Sequence, residues 1–251
     1  MKLTTRDGFI LDATFHKGTN SKAVVFAHGM TVDKENEEPF MQASKKLNKL
    51  GFSTLLFDFR AHGKSTGDSK GDFTIFGELI DVSTCFDFIK KQGINWVGLA
   101  GASFGGSISS LFAGANSNLV QKLVLIYPVL DYKNNLLDCE APWTKKYFSD
   151  VFNKLNKNGF IKVGSRDFKM GKQVFKEMKN YSPIGALKTY KKPILVIHGD
   201  KDSYVKMQTI KNLVEPIPNA KFEIIKNAEH GLSDKPYCTQ TVDLIVKFFN
   251  S

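Results

Sequence analysis

The 251-residue chain is poor in cysteine, poor in arginine and free of long apolar runs, and each shortage removes a class of explanation. Its three cysteines, Cys85, Cys139 and Cys238, are odd in number, widely spaced and never arranged as Cys-x-x-Cys. Neither a disulfide framework nor a zinc site is indicated, and the three read as reduced structural thiols. No apolar stretch approaches the roughly 20 residues that a membrane-spanning helix needs, and Met1-Lys2-Leu3-Thr4-Thr5-Arg6-Asp7 offers no apolar signal core. A cytoplasmic protein without stable membrane insertion is therefore expected. Only Arg6, Arg60 and Arg166 are arginines, so the formal charge of +10 rests almost wholly on lysine, the weaker residue for bidentate contacts to phosphate and base edges. With no basic-aromatic recognition motif, nucleic acid is not an expected partner. Internal repeats and low-complexity tracts are also missing.

The chain is long enough for one α/β domain that buries about three quarters of its unfolded surface, and a hydrophobic content of 42% is that of an ordinary globule. The charge is unevenly spread. From Asp131 to Lys192 thirteen lysines and one arginine face six acids, a net +8 of the total +10. This is either a solvated lysine surface on an inserted segment or a basic collar that draws anionic substrates.

Asp7-Gly8 is a hairpin turn signal, and Phe9–Phe15 after it predicts an antiparallel edge pair. Ala23–Ala27, Ser53–Phe59, Ile94–Ala100, Lys122–Tyr127, Pro193–Gly199 and Lys221–Ile225 read as buried strands. Between them, helical spacing links Phe40, Ala43, Leu47 and Leu50, then Ile75, Leu79, Val82, Phe86 and Ile89. Further helices are expected over Ser107–Ala113, near Val205–Val214, and through Tyr237, Thr241, Leu244 and Phe248. Alternating strands and helices imply a mostly parallel sheet with helices on both faces. Residues 128–192 break the alternation. That segment is too long for a plain connection and rich in aromatics, so it is expected to be an inserted cap of helices with a hairpin, within a single domain spanning 1–251.

The most informative stretch is Gly101-Ala102-Ser103-Phe104-Gly105. A serine between a strand end and a helix start must occupy a sharp, strained turn, flanked by glycines where a Cβ would clash. Such a turn lifts Oγ off the sheet beside a helix N-terminus that favours negative charge. A serine hydroxyl needs a base to take its proton, and the base needs a partner to hold its tautomer. His230 lies in the loop between the last strand and last helix; the acid is Asp200 or Asp202. In parallel sheets function gathers beyond the carboxyl ends of the strands, where these residues would meet.

These features, with His28-Gly29-Met30 after the third strand, Asp58-Phe59-Arg60-Ala61-His62-Gly63-Lys64-Ser65 after the fourth, His198-Gly199-Asp200-Lys201-Asp202 and His230-Gly231, resemble the α/β-hydrolase superfamily of serine esterases. More narrowly, they resemble small bacterial carboxylesterases that include cinnamoyl and feruloyl esterases. The resemblance covers nearly the whole chain. It implies an α/β-hydrolase fold, a Ser103–His230–Asp202 triad (the family's His-Gly-x-x-Asp spacing favours Asp202 over Asp200), and an oxyanion hole from the backbone N–H groups of Met30 and Phe104. A pocket lined by His28, Trp143, Tyr147 and Phe148 is expected, although His28, His62 and His198 are more simply structural as histidines. Asp58 and Arg60 read as loop scaffolding. Ala61 departs from the family, where glycine is commoner.

The expected activity is hydrolysis of small or aromatic, hydroxycinnamoyl-type esters through an acyl-enzyme, with no metal or organic cofactor. The expected partner is the ester substrate, with a homodimer left open. Rival readings are a monoacylglycerol lipase or lysophospholipase, an acyl-peptide hydrolase, and a catalytically silent binding module on the same fold.

Overall fold

The structure, a computed structural model, describes residues 1–138, 141–164 and 166–251, so Cys139 lies outside the described residues. Strand alternation decides which core each side chain enters. In β3 (Lys22–Ala27), Ala23, Val25 and Ala27 join one apolar cluster while Val24 and Phe26 join the other. The first cluster is covered by α2 (Ile75–Lys91), α3 (Ser103–Ala115), α7 (Pro183–Thr189) and α8 (Met207–Val214). The second is covered by α1 (Glu38–Lys49) and α9 (Lys235–Asn250).

The strands form one eight-stranded sheet. β1 (Lys2–Thr4) and β2 (Ile10–His16) make the expected antiparallel edge pair, turned at Gly8 with φ 93°. Then β4 (Ser53–Phe57), β3, β5 (Trp96–Ala102), β6 (Val120–Ile126), β9 (Ile194–Gly199) and β10 (Ala220–Ile225) follow in that spatial order. From β4 onward all pairings are parallel, so these strands deliver their carboxyl ends to one edge. No described helix is long and apolar enough to cross a membrane.

One boundary differs from expectation in an informative way. The helix after β5 does not resume at Ser107; α3 starts at Ser103 itself. A single left-handed residue, Ser103 with φ 50°, turns strand into helix with no loop between, so Gly105 and Gly106 lie inside the first helical turns.

Between β6 and β9 the chain forms a π-helical turn (Lys133–Leu137), α4 (Pro142–Phe148) and α5 (Val151–Asn158). An antiparallel pair follows, β7 (Phe160–Val163) with β8 (Phe168–Gly171), then α6 (Lys172–Glu177) and α7. The segment is tied down by polar contacts to the main body. Glu177 Oε2 accepts the Ile75 and Phe76 N–H groups at 2.6 and 3.2 Å, satisfying donors that the first turn of α2 leaves free. Arg166 pairs with Asp33 at 2.9 Å.

The loop after β4 is held from inside. Asp58 accepts the Lys34 and Lys64 N–H groups at 2.8 and 2.9 Å, and buried Arg60 pairs with Asp81 and Asp7 at 2.8 and 2.7 Å. Ala61 adopts φ 60°, the left-handed region that suits glycine, so its methyl adds strain at that turn. His62 packs among Phe59, Phe73 and Phe168 and stands 5.1 Å from His28.

Burial pushes His28 down to about 4, and burial with the neighbouring His28 charge pushes His62 down to about 3, from 6.5. Above pH 6.5 both rings are neutral whether the chain is folded or not. Below it, the unfolded chain gains protons that the folded one refuses until about pH 4 and 3, so stability falls with pH through that window. Thermal melts from neutrality to about pH 4 are expected to show a falling Tm, and His62→Phe a shallower fall; an unchanged slope in the variant would contradict this.

Candidate active site

Ser103 is the first residue of α3, directly after the end of β5, and its left-handed backbone costs of order 1 to 2 kcal/mol that the surroundings must offset. They do so by leaving no slack. A Cβ on Gly105 would lie 2.2 Å from the His28 carbonyl oxygen, and one on Gly101 would lie 2.4 Å from Ser109 Oγ. Glycine at both positions lets α3 pass close beside the end of β3. The Ser103 carbonyl then accepts the Val129 N–H at 3.0 Å, which ties the turn to the strand end of β6.

His230, from the loop after β10, reaches Ser103 Oγ with Nε2 at 3.1 Å and Asp202 Oδ2 with Nδ1 at 2.8 Å. A carboxylate can only accept, so Nδ1 carries the proton and Nε2 is left to accept from the serine hydroxyl. Asp202 is 8% exposed, and both of its oxygens are fully engaged. Oδ1 accepts the Tyr204 and Val205 N–H groups, each at 2.8 Å, and Oδ2 takes His230 and also His198 Nε2 at 3.0 Å. Burial alone would raise this carboxyl. The His230 charge and the hydrogen bonds from His198 and His230 outweigh burial and hold it well below the usual carboxylate range.

The imidazole is also fixed on its faces. Tyr204 stacks on His230 at 4.6 Å and 8°, and Tyr127 lies at 4.5 Å and 56°. Trp143 of α4 stacks in turn on Tyr204 at 4.9 Å and 14°. The sequence does not show these contacts: His198 reads as structural, Tyr127 as a strand end, and Tyr204 carries no signal beyond following Asp202 by two residues. The structure places Asp200 elsewhere, accepting the Asn227 N–H at 2.6 Å and pairing with Lys226 at 3.4 Å.

The other expected donors converge on the same place. Met30 N–H has no partner among the described residues, and Phe104 N–H belongs to the first turn of α3, where no intrahelical acceptor precedes it. His28 is behind this loop. Its Nε2 accepts the Phe59 N–H at 3.0 Å, so its Nδ1 carries the proton and donates to the Gly29 carbonyl at 2.8 Å. That carbonyl shares a trans peptide with Met30 N–H, which therefore points the opposite way.

Ser103, His230, Met30 and Phe104 all line one cavity of about 490 Å³, together with Trp143, Tyr147 and Tyr204. Two residues expected in the lining are not there. His28 is buried behind the Gly29 carbonyl, and Phe148 is 1% exposed, packed between Trp143 and Phe175. On α4, Trp143 and Tyr147 are four residues apart and share a face toward the cavity, while Phe148 faces the core. Two cations, Lys146 and Arg166, also line the cavity. Among the described residues no group of three or more His, Cys, Asp or Glu side chains has the arrangement of a metal site.

Such an arrangement can activate a hydroxyl nucleophile and hold a developing oxyanion. The rate at which Ser103 reacts with a fluorophosphonate is expected to fall about 10⁴-fold in Asp202→Asn, which supplies the wrong tautomer partner, and to change less than about threefold in Asp200→Asn. Equal effects of the two substitutions would contradict the geometry.

Comparison with known proteins agrees with this architecture. Residues 18–182 match the Hydrolase_4 family, described as serine aminopeptidase, S33. Among curated proteins, YqkD of Bacillus subtilis, itself described as uncharacterized, is 24% identical over 222 residues, or 84% of this chain; the match spans 65% of YqkD's length. The non-heme chloroperoxidase CPO-A1 of Kitasatospora aureofaciens is 23% identical over 265 residues, 93% of each chain. Among solved structures, Est1E from Butyrivibrio proteoclasticus with ferulic acid bound shares the fold with a TM-score of 0.84 at 22% identity, covering 100% of this chain and 98% of that one. Because the family match covers well over half of the sequence, on a fold with the matching topology, the chain belongs to the Hydrolase_4 family of α/β hydrolases.

Proposed function

We propose that the protein is a serine carboxylic-ester hydrolase working through an acyl-enzyme on small or aromatic, hydroxycinnamoyl-type esters. Ser103 Oγ attacks the ester carbonyl as His230 Nε2 takes its proton. Met30 and Phe104 N–H groups hold the oxyanion, and His230 returns the proton to the leaving alkoxide. A water, activated by the same imidazole, then releases the acid and regenerates Ser103. Asp202 keeps the imidazole in its tautomer and stabilises the imidazolium. The reaction as written uses no metal or cofactor. A cytoplasmic location belongs to the same proposal.

The observation that carries the reading is the position of His230, within hydrogen-bond distance of both Ser103 Oγ and Asp202 Oδ2. The aromatic acyl preference rests on the cavity, whose Trp143, Tyr147 and Tyr204 offer flat apolar faces beside the nucleophile. The Est1E structure holds ferulic acid, which is in line with that preference. The family's description names an aminopeptidase. The lining sets Lys146 and Arg166, the latter paired with Asp33, beside Glu37 and Glu38, and so offers no unbalanced negative charge to hold a substrate amino terminus.

An ester panel tests the proposal. Short p-nitrophenyl esters and methyl ferulate are expected to be hydrolysed, a palmitoyl ester and leucine p-nitroanilide far more slowly, and Ser103→Ala to lose about 10⁶-fold in kcat. Undiminished hydrolysis in Ser103→Ala would remove the mechanism. Preference for the palmitoyl ester or the anilide would remove the substrate assignment.

A further inference from the structure

One buried acid next to the nucleophile has no part in the proton relay. Glu37 is 5% exposed, and its two oxygens are taken by a phenol and an amide: Oε1 by the Tyr127 hydroxyl and Oε2 by the Gly29 N–H at 3.1 Å. Burying a carboxyl against neutral donors is costly, and the protein gains no ion pair from either contact. Nor does Glu37 serve its own helix. It occupies the N-cap position of α1, where a side-chain oxygen would ordinarily take free N–H groups of the first turn, yet it makes no such bond and turns into the site.

Both partners lead to the reacting atoms. Gly29 is held at its carbonyl by His28 Nδ1 and at its N–H by Glu37, so both peptides that flank it are fixed, including the one that carries Met30 N–H. Tyr127, with φ 37° and a fully buried ring, is the face against which His230 rests at 4.5 Å. We infer that Glu37 is a positioning residue that ties the oxyanion loop to the base, setting the Met30 peptide through Gly29 N–H and anchoring the ring behind His230 through the Tyr127 hydroxyl. The inference rests on the ester-hydrolase reading for what the oxyanion is, but the hydrogen bonds themselves do not depend on the substrate.

Three variants, Glu37→Ala, Glu37→Gln and Tyr127→Phe, test it. Each is read by ester kcat and KM and by the rate of fluorophosphonate labelling. Glutamine can keep both contacts, its amide oxygen accepting from Gly29 and its amide N–H donating to the Tyr127 oxygen. Loss of alignment by about an ångström lowers rate about 100-fold. Glu37→Ala is therefore expected to lose about 30- to 100-fold in kcat and in labelling with KM within about twofold. Glu37→Gln is expected to stay within about fivefold of wild type, and Tyr127→Phe to fall between the two. Unchanged kcat and labelling in a folded Glu37→Ala would overturn the inference, as would equal losses in the glutamine and alanine variants. If the alanine variant does not fold, slowed labelling in Tyr127→Phe beside a near-normal Glu37→Gln supports it, and normal labelling in Tyr127→Phe overturns it. A wild type that labels but hydrolyses no ester would sink the substrate proposal alone, since the labelling series would still decide on Glu37.

Discussion

The left-handed backbone of Ser103 is the constraint on which the rest of the structure depends. A strand that ran into a helix through a longer loop would leave the hydroxyl free to wander. Here a single residue makes the turn, and its strain is sustained because the neighbouring backbone comes too close for any side chain at Gly105 or Gly101. The same close approach sets Phe104 N–H at the start of α3 beside the loop that carries Met30. Ser103 Oγ and the Phe104 and Met30 N–H groups, the proposed nucleophile and oxyanion donors, thus lie in adjoining turns, while His230 and Asp202, the proposed base and its acid, arrive from two other strand ends.

Those two arrive rigidly. His230 sits in a loop with Asn227 and Leu232 both at positive φ, and such a loop would not fix an imidazole by itself. Its position is imposed by Asp202 at one edge and by the Tyr127 and Tyr204 rings on its faces. Asp202 can do this as an anion because four donors, including His198, compensate its burial. Through Trp143, stacked on Tyr204, the segment between β6 and β9 reaches His230 indirectly, so that segment both shapes the cavity and backs the ring that faces the imidazole.

Much of this was legible in the chain, and the reasons are physical. Buried parallel strands are continuous apolar runs, which is why the strands of the sheet stand out, and the glycines around Ser103 are required by close approaches that would leave a Cβ no room. The start of α3 is hard to read from the chain because glycines suggest a break, whereas here they are inside the helix to relieve a crowded approach. Phe148 and Trp143 could not be told apart by residue type, since only the pitch of α4 decides which of them faces the core. Glu37 and Tyr127 leave no mark of their contact, because they are 90 residues apart and only the folded chain brings them together at the site, while His198 shows only as part of the motif that carries Asp202.

In the proposed mechanism the strained turn offers Ser103 Oγ and two backbone N–H groups to one reacting carbonyl. A crystal structure of the protein after reaction with a fluorophosphonate measures this directly. That mechanism predicts a phosphonyl group on Ser103 with its phosphoryl oxygen about 2.7 to 3.1 Å from both Met30 N and Phe104 N. An adduct on another residue, or a phosphoryl oxygen turned away from those two nitrogens, would contradict it.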